Sequence, residues 1–397
     1  MNKPVYPLPA ATIRLPRPDR SLETYRLGAP RDFPARLARP LNRIAFSAAH
    51  VVADPLSVAD PWLEAAIDWD KTIAYRQHLW DLGLGVAEAM DTAQRGMGLD
   101  WPTSLELIRR SVAAAKARGG ALVFCGAGTD HLAPEAAKTL DDVICAYEQQ
   151  VAAIEAAGGR IILMASRALA RIARNADDYA AVYGRILRQL PEPAIIHWLG
   201  DMFDPALARY WGSGDLDTAM DTAVSIINAS AAKVDGVKIS LLDKQKEIVM
   251  RRRLAKGVRM YTGDDFNYAE LIEGDGQSHS DALLGIFDAI APAASAALAH
   301  LAAGNAAAFN EVLAPTVALS RHIFKAPTRF YKTGIVFMAY LNGHQDHFAM
   351  VGGQESARST LHLAELFRLA DRSGLLREPE RAAARMRAFL VTRGVEP

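Results

Sequence analysis

The sequence predicts an α/β protein: a (β/α)8 TIM barrel with an irregular N-terminal arm and a C-terminal helical extension. Three observations carry that prediction. The chain has 397 residues, the length of one large barrel with extensions. Its composition, 50% hydrophobic and 23% charged, supports a large core and excludes wholesale disorder. Between Asn42 and Pro292, short apolar runs alternate with amphipathic stretches. A parallel sheet with helical crossovers requires that alternation. The competing arrangement is a doubly wound open sheet. No G-x-G-x-x-G follows the first apolar run, and Gly126-Ala127-Gly128 after the third lacks the later glycine.

Residues 1–40 hold eight prolines and seven arginines. Such a segment forms neither a long helix nor a central strand. It reads as a surface arm, with a role in locking an oligomer as the functional alternative. Residues 41–292 form the barrel. Its strands are expected at Arg43–Ser47, Leu84–Ala87, Ala121–Cys125, Arg160–Met164, Ala194–His197, Gly236–Ile239, Arg259–Tyr261 and Ala282–Phe287. Apolar residues at three-and-four spacing mark helices at Leu105–Ala117, Val143–Ala157, Ala180–Leu190, Asp217–Ala232 and Lys244–Lys256. Residues 293–397 read as a helical extension, with helices at Ala293–Ala303, Ala306–Phe324, Glu355–Ser373 and Glu378–Leu390.

Several function classes drop out. Lys+Arg and Asp+Glu are 45 each, so the chain has no net charge for coating nucleic acid or an anionic membrane. Its two cysteines, Cys125 and Cys145, exclude a disulfide scaffold and a multi-cysteine metal site. Both lie in apolar segments and read as buried thiols. No apolar run spans a bilayer, and MNKPVYPLPA has no signal-peptide core. A cytoplasmic protein acting on a small molecule, with neither nucleic acid nor membrane as partner, is the expectation.

In a barrel of this kind, chemistry sits where strands end and loops begin. The polar residues found there are His50 after strand one, Glu88 and Asp91 after two, and Asp130 and His131 after three. Ser166 and Arg167 follow strand four, and His197 and Asp201 close strand five. Strand six carries Lys238 and Ser240, and Asp264 and Asp265 follow seven. Lys238 stands out. A lysine inside VDGVKIS is costly unless paired or deprotonated, and desolvation turns an amine into a nucleophile toward carbonyls. The bland alternative is a structural ion pair or an edge position. His197 ends the strand before it and titrates near neutral pH, unless it is a core histidine bonded to a backbone carbonyl. Each acid is by base rate a helix cap or a solvated loop residue before it is a ligand; Asp204 and Asp243 read as caps. His344 and His347 have the H-x-x-H spacing that one helical turn would place on one face. Loop packing is their ordinary reading.

With these residues in order, the chain resembles the dihydrodipicolinate synthase and N-acetylneuraminate lyase superfamily, the Schiff-base class I aldolase barrels. It looks like a divergent, uncharacterised branch. Gly126-Ala127-Gly128-Thr129 matches the family's turn after strand three. Gly236-Val237-Lys238 matches the setting of its imine-forming lysine, and Gly263-Asp264-Asp265 the end of strand seven. The family's tyrosine–asparagine pair on strand five is His197-Trp198 here, and its carboxylate-gripping arginine falls near Met202. Ala87-Glu88-Ala89-Met90-Asp91 replaces its Gly-Thr-Thr-Gly-Glu turn.

The resemblance implies an imine-forming lyase, without implying pyruvate as substrate, and a homo-oligomer. In that reading Lys238 and His197 are catalytic. Glu88, Asp91, His131, Ser166, Asp201, Ser240, Asp264 and Asp265 bind substrate, a keto sugar or sugar-derived keto acid. No cofactor is needed. The alternative is a metal-dependent isomerase, epimerase or hydrolase on the same barrel, with a divalent ion held by His131, His197 and some of the acids. A non-enzymatic sugar-binding barrel is the third reading.

Overall fold

The computed structural model describes residues 11–37, 39–90, 95–96 and 98–396. Two strands, β1 (Thr12–Pro16) and β2 (Leu22–Arg26), pair antiparallel. Eight parallel strands follow: β3 (Ala45–Ser47), β4 (Gly85–Glu88), β5 (Val123–Ala127), β6 (Arg160–Leu163), β7 (Ala194–Leu199), β8 (Val234–Ser240), β9 (Arg259–Thr262) and β10 (Asp281–Leu284). They close in chain order, with β10 bonded to both β9 and β3. All eight expected strands are present. The eighth stops earlier than expected: Ile286–Ala289 is a short helix, entered through Gly285.

Alternate residues of each strand face the interior. Phe46, Phe124, Ile162, Ile195, Tyr261 and Leu283 fill the lower barrel, with Phe46 edge-on to Phe124 at 5.2 Å and to Tyr261 at 5.9 Å. Glycines make room for these rings. A Cβ on Gly85 would lie 2.7 Å from the Phe46 ring, and one on Gly236 2.6 Å from Tyr261. Toward the C-terminal ends of the strands some inward positions are small or glycine, including Ala48, Gly126 and Gly263.

The N-terminal arm is more ordered than expected. Its alternation Thr12-Ile13-Arg14-Leu15 buries Ile13 and Leu15. A two-stranded ribbon tolerates Pro16 at its end and Pro18 in its turn, where a central strand would not. The ribbon is tied to the far end of the chain. The Tyr25 hydroxyl donates to Asp371 at 2.7 Å, and Arg368 to the Pro16 carbonyl at 3.2 Å.

The C-terminal extension comprises helices Ala291–Ala302, Ala306–Ile323, Tyr331–Leu341, Thr360–Arg372 and Pro379–Thr392. The sequence reading missed Tyr331–Leu341. All its residues are buried, so it is apolar all round and carries no amphipathic period. Cys125 is buried as expected, but Cys145 is exposed, on the outer side of the helix Leu140–Ala157. Among the described residues no helix is long and apolar enough to cross a membrane.

Candidate active site

Lys238 pairs in register with His197 on β7 and Tyr261 on β9. Paired residues of parallel neighbours share a face, and Tyr261 belongs to the interior cluster. Lys238 and His197 therefore both point into the barrel, buried. Gly263 leaves room for the lysine stem: a Cβ there would sit 3.0 Å from Lys238 Cε and would meet the Ser240 hydroxyl. The His197 ring stands 3.2 Å from Ser240 Oγ, two residues on from Lys238 on the same strand.

Asp265 follows β9 and is buried beside this pair. Its carboxylate accepts the Ile286 amide at 2.8 Å. Burial pushes the carboxyl up to about 7, against the Ile286 amide and the Lys238 charge, which both pull it down. A carboxyl in that state can both take and give a proton near neutrality. Asp264 does different work. It accepts from the Phe266 amide at 2.8 Å, the Asn267 amide at 3.0 Å and the Asn267 side chain at 2.8 Å, so it shapes the turn that presents Asp265.

Glu88 is not at the mouth. Its neighbour Ala87 faces the interior, and Glu88 turns outward between the barrel and its helices. There Arg76 grips it with two hydrogen bonds, of 2.9 and 2.8 Å, and Ser111 donates a third. Both side chains of the pair are fully buried. The expected substrate ligand is a structural ion pair, because the parity of one strand position sends it to the outer face. Asp91 lies outside the described residues. Ser166 caps the short helix Arg167–Ile172 and bonds Thr129 at 2.6 Å. His131 is exposed on the rim, held by Gln149 and Gln150. Asp201 is exposed on the loop after β7. Asp204 and Asp243 are helix caps, as expected.

A cleft lies above the ends of β5, β6 and β7. Gly128 and Met164 line it, and Met164 also belongs to the barrel interior. Two ion pairs line the cleft, Arg95–Asp130 at 2.5 Å and Arg167–Asp204 at 2.5 Å. Beyond β7, the Phe324 and Tyr331 rings stack at 4.2 Å, and Phe203 meets both edge-on. Phe324 and Tyr331 also close over Gly285.

Sequence reasoning missed a second buried lysine. Lys332 donates to the Ala48 carbonyl at 2.8 Å and to Asp288 at 3.2 Å, and Asp288 stands 2.9 Å from His50 Nδ1. The signal was a charge inside the apolar run YKTGIVFMAYL, the same signal that exposed Lys238. His344 and His347 fall in a loop after this helix, so the one-turn geometry does not arise. His344 packs on Tyr75 and His78 at 4.9 and 4.7 Å, and burial pushes its ring down to about 3. His347 Nδ1 accepts the Ala349 amide at 3.1 Å. His131 on the rim and His197 inside the barrel are not brought together. Among the described residues no group of three or more His, Cys, Asp or Glu converges on one ion position.

A family model described as a protein of unknown function, DUF993, matches residues 13–395. The chain belongs to the DUF993 family. No curated protein sequence matches it. Solved structures do. Dihydrodipicolinate synthase from Aquifex aeolicus aligns with this DUF993 chain at a TM-score of 0.61 and 11% identity, covering 84% of this chain and 99% of that one. The enzyme from Bacillus clausii gives 0.60 and 15%, covering 83% and 97%. The enzyme from Acinetobacter baumannii, complexed with pyruvate, gives 0.60 and 13%, covering 85% and 100%. At such identities the likeness is one of fold. At that level the resemblance read from the motifs holds: this DUF993 member has the dihydrodipicolinate synthase barrel.

Proposed function

We propose that the chain is a lyase of the class I aldolase type, with Lys238 as the imine-forming residue. The observation that carries the reading is the placement of Lys238. It is buried on the inner face of a barrel strand, level with His197 and within the electrostatic reach of Asp265. The neutral amine adds to a substrate carbonyl carbon, and loss of water leaves a protonated imine. That cation draws in the electron pair of a neighbouring carbon–carbon bond as a β-hydroxyl gives up its proton. Alternatively, loss of an α-proton gives an enamine that expels the β-hydroxyl. Asp265 accepts the proton and returns it to carbon; His197 is the second acid/base group. Water then frees the product from the lysine.

The cleft above β5, β6 and β7, which shares Met164 with the barrel interior, favours a hydroxyl-bearing carbonyl compound, a keto sugar or sugar-derived keto acid. Its two ion pairs offer both donors and acceptors without net charge, and hydroxyls use both. The test is to incubate the protein with a panel of keto sugars and keto acids, add borohydride and weigh the intact chain. A mass increase of one reduced substrate, absent in Lys238→Ala, is expected. An adduct that persists in Lys238→Ala would place the chemistry on another residue.

A further inference from the structure

The ends of β3 and β7 stand on opposite sides of the barrel, with three strands between them in either direction. The start of the helix Tyr331–Leu341 joins them. Lys332 donates to the carbonyl of Ala48, the residue that follows β3. Its neighbour in the chain, Tyr331, meets the Phe203 ring edge-on at 6.2 Å. Phe203 lies just past β7, in a turn closed by its amide on the Gly200 carbonyl at 3.0 Å. Two consecutive residues and one ring contact are too short a path to pass round the outside of the sheet. They form a strap that crosses the barrel mouth.

The strap divides the mouth. On the side of β8, β9 and β10 the C-terminal extension covers it. The Ser320 hydroxyl donates to the Asp265 carbonyl at 2.5 Å, and the Tyr268 and Thr316 hydroxyls meet at 2.6 Å. A Cβ on Gly285 would lie 2.8 Å from the Tyr331 ring and 2.9 Å from the Phe324 ring. On the other side lies the cleft, whose wall includes Leu199, Asp204 and Leu207 from the end of β7 and the loop after it. Phe203 is the seam. Its buried ring packs on the extension, while its neighbours in the same loop line the cleft.

We infer that Phe203 is a specificity-determining residue, which with Tyr331 confines the substrate to one side of the mouth. A carbonyl carbon held at Lys238 then has room for a long substituent in one direction, toward the cleft. The substrate class is a hydroxylated chain with its carbonyl at the end or next to the end. A ketone in mid-chain would need the space that the two rings fill. The carbonyl in this inference rests on the imine reading; the closure of the mouth rests on the contacts above.

The experiment offers the full-length protein a 2-pentulose and its 3-pentulose isomer, equal in mass and in hydroxyl content. Cyanoborohydride reduces the imine, and peptide mass mapping reads the adduct at Lys238. The parent is expected to favour the 2-isomer by about 10-fold or more, as one ill-fitting carbon costs in a shaped pocket. Phe203→Ala is expected to lower that ratio severalfold. Phe203→Leu, the milder change should Phe203→Ala not fold, is expected to lower it less. A parallel measurement does without the imine. In Lys238→Cys, with and without Phe203→Ala, the thiol is alkylated by iodoacetamide or by 2-iodobutanamide, whose reacting carbon carries one substituent more. Loss of the ring is expected to speed the branched reagent more than the slim one. An unchanged isomer ratio in a folded variant, or equal acceleration of both reagents, overturns the inference. A shifted thiol selectivity with no pentulose adduct refutes the imine reading and leaves the strap standing.

Discussion

Lys238 on β8 and His197 on β7 stand side by side in the parallel register, both facing the barrel interior. Their strands belong to a closed sheet, so neither can shift without breaking several backbone hydrogen bonds. The site is rigid where the chemistry is proposed, as a preorganised site requires.

Gly263 is the position to test that rigidity. Gly263→Ala places a methyl group against the Ser240 hydroxyl, 2.6 Å from the Ile239 carbonyl and 3.0 Å from Lys238 Cε. The lysine must move. Displacements of this size cost about 100-fold in rate when they disturb attack geometry. Borohydride trapping in Gly263→Ala is expected to slow to that extent, and the strain against the Ile239 carbonyl is expected to lower the melting temperature as well. Trapping at the parental rate would show that the lysine stem is not confined.

Asp265 makes a prediction about pH. Its folded carboxyl keeps its proton to about 7, above the unfolded value near 4. Ionising it therefore opposes folding. Its contribution is most favourable below about pH 4 and is lost as pH rises toward 7. Asp265→Asn is expected to stabilise the protein at pH 8 by on the order of 2 kcal/mol, with less gain at pH 5. Turnover of a trapped substrate should fall at least about 100-fold, as loss of a general acid/base does. Paired thermal melts at the two pH values, with single-turnover rates, check both halves. Equal gains at pH 5 and pH 8 would contradict the ionisation argument.

The Arg76–Glu88 pair should behave as structure and not as chemistry. Arg76→Met leaves a fully buried carboxylate without its partner, a change worth about 3–5 kcal/mol. Replacing both, as Arg76→Met with Glu88→Gln, should recover much of that loss. Urea unfolding of the three proteins checks the order. The folded double variant should still trap substrate; failure to do so would return Glu88 to the site.

The barrel was legible because each strand is a short apolar run bounded by helical spacing, and a parallel sheet covered on both faces needs such runs. Lys238 was legible for the converse reason, as a charge where the pattern demanded an apolar residue. Glu88 shows the limit. It sits one residue past an inward-facing alanine, and no composition rule says on which face a strand's last residue emerges. The helix Tyr331–Leu341 was missed because burial on all sides erases the polar stripe by which a helix is recognised. Lys332 was lost with it. The ribbon of β1 and β2 was missed because its prolines read as breakers, while its alternation of buried and exposed residues spans only a few positions.

The ribbon has a consequence for the order of assembly. Tyr25 meets Asp371 across 346 residues of chain, and Arg368 meets Pro16 across 352. During synthesis the first strands emerge long before the helices they rest on. The barrel strands can pair in succession as they appear, but the ribbon must wait, unpartnered, for the end of the chain. Its closure is then a late, long-range event whose entropy only a nearly finished fold can offset. Molecules with the ribbon docked are molecules in which the terminal helices have already been made.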